Sequence, residues 1–135
     1  MDQSELMMRF QVFEQQIRQI QEQIEAVDNG IMELRSLEFG LDDLKNPKDK
    51  EILAHYGKGI FVKAKIISED LLVDVGDKNF VKKDTDGAKV LIVDQIKKLE
   101  QIKEELNETL EKTGEELNSF MINAQKQSSE NSNKD

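Results

Sequence analysis

The sequence predicts a mostly α-helical chain with a small β component: a long antiparallel coiled-coil hairpin whose two arms are joined by two β-hairpins. Three observations predict it. Apolar residues recur at heptad spacing through the first 34 residues. The same spacing returns from Ile92. Between the two runs lies "GKGIFVKAKIISEDLLVDVGDKNFVKK", residues 57–83, which alternates and is rich in β-branched side chains.

The first arm is read over residues 1–46. Its apolar positions are Leu6, Phe10, Phe13, Ile17, Ile20, Ile24, Val27, Ile31 and Leu34, in steps of four and three. That is a two-position seam, which packs against one partner helix; a helix in a globular core needs a wider stripe. Gln, Glu and Arg fill the positions between. Leu37, Leu41 and Leu44 extend the pattern, and Pro47 ends it because the residue before a proline is pushed out of the helical region.

The second arm is read over residues 84–124. Asp84 or Thr85 is placed as the N-cap, offering a side-chain oxygen to unpaired N–H groups. The seam runs Ile92, Ile96, Leu99, Lys103, Leu106, Leu110, Thr113, Leu117, Phe120, Ala124. Lys103 and Thr113 are its imperfect positions, and Ile102 is read as sharing the Lys103 layer. Residues 125–135 carry no apolar side chain and are expected to form a disordered polar tail. Both Leu6 to Leu34 and Ile92 to Phe120 span 28 residues. Folding the chain at its middle therefore sets Leu34 against Ile92, Val27 against Leu99, Ile20 against Leu106, Phe13 against Thr113 and Leu6 against Phe120. The matched lengths favour this hairpin over a parallel homodimer through each seam separately.

The insert, residues 51–83, reads as two hairpins: Glu51–Ala54 with Gly59–Ile66, and Leu71–Val75 with Asn79–Lys82. Isolated hairpins are marginal in water and their edges invite other chains. The insert is thus expected to be an assembly module completed by other subunits. The residues assigned to it are Ile60, Phe61, Val62, Ala64, Ile66, Leu72, Val73, Val75, Phe80 and Val81.

Composition excludes several classes of function. The 135 residues carry a net charge of −9, and the excess acid lies in both arms, which argues against nucleic acid. No apolar run is long enough to span a membrane. The N-terminal residues lack a basic start and an apolar stretch, so a cytoplasmic location is expected. There is no Cys and a single His, His55, so thiolate chemistry is excluded and a paired-His metal site is not available. "DTDG" at 84–87 lacks the remaining ligands of a calcium loop, and "GKG" lacks phosphate-loop spacing. No enzymatic activity, cofactor or metal is expected.

With the heptad arms on either side, "EILAHYGKGIFVKAKIISEDLLVDVGDKNFVKKDTDGAKVLIVDQI" resembles a prefoldin alpha-type subunit, and residues 1–124 resemble one such domain. The most specific parts are the Gly57–Gly59 turn, "FVKAKI", "LLVDVG" and the capped "KKDTDGA". Two hairpins match the alpha type; the beta type has one. His55 and Tyr56 stand where the family often has a proline and an aliphatic residue. The resemblance implies a cytosolic, ATP-independent chaperone. Two alpha-type and four beta-type subunits would form a hexamer, their hairpins building an oligomerisation barrel. The coil tips would hold unfolded clients and pass them to a group II chaperonin. A structural coiled-coil adaptor, or a prefoldin-like subunit of another complex, are the alternatives.

The free ends of the arms are the expected client site. Met7 and Met8 lie off the seam beside Leu6 and Phe10. Met121 and Ile122 lie off it beside Leu117 and Phe120. In the antiparallel arrangement the two clusters adjoin, and flexible Met side chains suit promiscuous apolar contact. The bland alternative for these residues is a frayed helix end.

Overall fold

The computed structural model describes residues 2–45 and 49–132. Helix α1 spans Gln3–Leu41 and ends in a 3-10 turn, Asp42–Leu44. Strands β1 (Glu51–Gly57), β2 (Ile60–Lys65), β3 (Leu71–Asp74) and β4 (Phe80–Lys83) follow, then helix α2, Thr85–Ser132. Residues 46–48, including Pro47, and residues 133–135 of the expected tail lie outside the described residues. The chain divides into two compact units: a coil unit, Met1–Gly30 with Leu99–Asp135, and a hairpin unit, Ile31–Lys98.

In the coil unit, α1 and α2 run antiparallel. Asp28 pairs with the Lys103 ammonium at 2.6 Å, and Phe13 meets Phe120 with ring centroids 5.6 Å apart. Every seam position is at least half-buried, while most of the residues between are exposed. Lys103 holds its seam place by packing its aliphatic stem and turning the charge outward to Asp28. Ile102 therefore does not share that layer; it is exposed.

The register differs from the one that matched lengths predict. Asp28 meets Lys103, and Gly30 lies beside Leu99, whose Cδ1 would be 3.4 Å from an added Cβ. Leu99 thus sits beyond Val27 on α1, beside Gly30, a slip of one seam step. Such a slip keeps apolar on apolar, so spacing alone does not decide it. The Asp28–Lys103 pair marks the register that forms. A one-step slip sets Phe120 opposite Phe10, and its ring reaches Phe13 on the next turn, with centroids 5.6 Å apart; Thr113 is buried.

Helix α2 runs beyond Ala124 through residues where a disordered tail is expected. Gln, Lys, Ser and Glu have no apolar face there, but no Pro or Gly interrupts the helix. At its start Asp84 is the cap: its Oδ1 accepts from the Gly87 N–H at 2.7 Å, and Thr85 is the first helical residue. A cap of this kind contributes about 1 kcal/mol.

In the hairpin unit, β1 pairs with β2 and β3 with β4, each antiparallel and each a separate two-stranded sheet. β1 pairs further than expected, to Gly57 opposite Ile60, after a bulge at Tyr56. Lys58 and Gly59 close the turn with φ of 45° and 80°, the primed geometry that fits the twist of a two-residue hairpin. Among the described residues the fully buried apolar ones, Ile31, Leu41, Ala88, Ile92 and Ile96, belong to this unit. Leu71, Val73 and Val81 share the half-covered face of the second hairpin. Leu37, expected to extend the seam, is exposed instead, and Leu41 is buried. Asp42, just past α1, pairs with Lys89 of α2, and Lys45 lies 3.9 Å from Asp86.

Two outcomes follow. A one-step slip sets Ile20 opposite Leu110, so cysteines at Ile20 and Leu110 should crosslink within one chain faster than cysteines at Ile20 and Leu106; the reverse order would restore the length-matched register. The hydrogen bond from Lys89, with its charge, holds the Asp42 carboxyl below the usual carboxylate range. A depressed carboxylate stabilises the fold above its unfolded-state pKa and loses that contribution as pH falls through the folded value. Asp42→Asn should therefore lower stability slightly near neutrality and change little at low pH, so that the acid limb of stability against pH, read by urea unfolding, is flattened.

Candidate functional site

Two surfaces carry exposed apolar side chains, one in each unit. In the coil unit a groove of about 470 Å³ opens between the start of α1 and the end of the seam on α2. Leu6, Met7 and Phe10 line it from α1; Phe120, Met121 and Ala124 line it from α2, with the amides of Gln3 and Gln125. The heptad explains the arrangement. Leu6, Phe10, Phe120 and Ala124 are seam residues and half-buried, while Met7 and Met121 sit one position off the seam and stay 63% and 43% exposed.

Of the eight residues expected at the helix ends, the structure brings Leu6, Met7, Phe10, Phe120 and Met121 together. Leu117 is a half-covered seam residue below the groove. Met8 and Ile122 are exposed but stand outside its lining. Gln3, Ala124 and Gln125 are lining residues that the search for off-seam apolar side chains passes over. Ala124 was visible as the last seam position; the glutamines carry no apolar signal.

In the hairpin unit the strands present their side chains in pairs, since directly opposite residues share a face. Ile52 with Ala64, and Ala54 with Val62, form one face of the first hairpin; Leu53 with Lys63, and His55 with Phe61, form the other. The His55 and Phe61 rings meet edge to face at 5.2 Å. Both faces of this sheet are thus partly apolar. Of the ten expected assembly residues, Ile60, Phe61, Val62, Leu72, Val75 and Phe80 are exposed, while Ala64, Ile66, Val73 and Val81 are half-covered. Each strand is paired on one side only. Tyr56 and Ile67, not among those ten, are exposed more than 80%.

Charge separates the units. The residues of the coil unit hold 15 acids and 6 bases, the whole net charge of −9; residues 31–98 hold 13 of each. Among the described residues no His, Cys, Asp and Glu cluster could hold a metal, and no helix is long and apolar enough to cross a membrane. This arrangement presents apolar side chains at the helix ends and strand edges paired on one side only in the hairpins.

Comparison with known proteins agrees with the fold. Residues 13–130 match the family described as Prefoldin subunit. The chain is similar to prefoldin subunit alpha of Methanobrevibacter smithii, at 32% identity over 90% of this chain and 84% of that one. It is 36% identical to prefoldin subunit alpha of Methanococcus maripaludis, over 80% and 74% of the respective chains. Among solved structures it resembles a chain of filamentous PFD from Methanocaldococcus jannaschii, with a TM-score of 0.76 at 23% identity, covering 84% of this chain and 95% of that one.

Proposed function

The chain belongs to the prefoldin family, and from that premise we propose that it is the alpha-type subunit of an ATP-independent holdase. The observation that carries the reading is the apolar groove at the helix ends, with Met7 and Met121 exposed on its rim. A two-sided cluster of flexible apolar side chains takes up non-native segments without demanding one sequence. Each such contact is weak, about 1.5–3 kcal/mol for a fully buried side chain. Several tips acting on one client raise avidity by about 10²–10⁴, so retention needs no nucleotide, and release proceeds as tips detach one by one.

The hairpin unit supplies assembly. Open strand edges and partly apolar faces are what a sheet shows when its neighbours come from other chains. In this reading two copies join four beta-type subunits in a cytoplasmic hexamer, whose hairpins complete the barrel, and clients pass to a group II chaperonin.

Val62→Pro removes one main-chain donor from β2, whether it faces β1 or the free edge. It should abolish the hexamer, measured by light scattering with a beta-type partner; a full hexamer would remove assembly from the first hairpin. Changing Met7, Met8, Met121 and Ile122 together to Ser should leave helicity and assembly unchanged, because none lies on the seam. It should lower suppression of aggregation of a chemically unfolded client, partially and by client, since beta-type tips remain. Undiminished suppression for every client would exclude this subunit from client binding, as an adaptor role requires.

A further inference from the structure

We propose that the groove at the helix ends selects unfolded segments in which an apolar residue stands beside lysine or arginine, and disfavours those with acidic neighbours. The proposal rests on reading that groove as the client site. Its basis is a second groove that shares a wall with the first. Phe120 lines the apolar groove together with Leu6, Met7, Phe10 and Met121. Phe120 also lines an adjoining open groove of about 510 Å³ with Lys112, Glu115, Glu116, Ser119 and Asn123. One ring therefore stands between an apolar site and a site with two carboxylates and one ammonium.

The two sites differ in what they accept. No charged side chain lines the apolar groove; its polar members are the amides of Gln3 and Gln125. A client's apolar residue fits there, and a charged one would lose water without a partner. The second groove carries a net negative charge, and among the described residues the carboxylates of Glu115 and Glu116 form no ion pair or hydrogen bond. They are set in the unit that holds the entire net charge of −9. An extended chain advances about 3.3 Å per residue, so a segment crossing the Phe120 ring puts its cation one or two residues from the apolar anchor. An acid at that position falls within the Debye length, about 8 Å at physiological salt, of two like charges.

Peptides with one shared Leu and Phe core, flanked by Lys, Ser or Glu, distinguish the outcomes when bound to the full chain assembled with its partner subunits and read by fluorescence anisotropy. The Lys-flanked peptide is expected to bind about three- to fivefold tighter than the Glu-flanked one at low salt, with Ser between, and the spread should close in 0.5 M salt. The variant carrying Glu115→Gln and Glu116→Gln should narrow the spread without weakening the Ser-flanked peptide. Equal affinities for all three flanks, with Met7→Ser and Met121→Ser still weakening each, would overturn charge selection and leave the groove as the client site. Indifference to those Met substitutions would overturn both.

Discussion

Two helices lying side by side can cover each other only along one line of contact, and a seam residue in such a pair is shielded from one direction. The coil unit shows the result: its seam residues are half-buried, and only the small Thr113 is fully enclosed. Stability is spread thinly over many layers, with no central core to lose. Apolar side chains are enclosed where further elements join the helices: among the described residues the buried apolar ones lie in the unit that also holds the hairpins. The same geometry leaves the last layers half-open. A seam that ends is a seam with one uncovered side, so the groove at the helix ends is a consequence of the architecture, enlarged by placing Met at the flanking positions.

The division of charge fits this architecture. A coil with little buried area tolerates dense surface charge because nearly every residue off the seam faces water. The hairpin unit has acids and bases in equal number, so exposed apolar faces there are not held apart by like charge. Two surfaces on one chain are thus given opposite behaviour. One carries the net negative charge beside its apolar groove; the other is electrically balanced beside its open strand edges.

Most of the architecture was legible because two periods, 3.5 and 2, are written plainly and do not overlap. Heptad steps marked both arms, alternation marked all four strands, and Asp84 was among the expected caps. The register was not legible. Moving one arm by a single seam step still sets apolar seam residues opposite one another in most layers, and the register that forms is marked by the Asp28–Lys103 pair and by Phe120 reaching Phe13. Neither pair is distinguished by spacing. The helical stretch past Ala124 escaped prediction because its lack of apolar residues resembles a disordered composition, although each residue there tolerates a helix. At the groove, apolar members were found by type, whereas Gln3 and Gln125 line it by position alone.

The hairpins also bear on the life of a newly made copy. Leu53, Ile60, Leu72 and Phe80 are each more than half exposed on sheets whose strands are paired on one side. To any machinery that recognises misfolding by bare apolar side chains, a correctly folded but solitary copy looks like damage. Any strands that other chains add along those edges would cover these side chains, so for this chain assembly and the concealment of apolar surface would be one event.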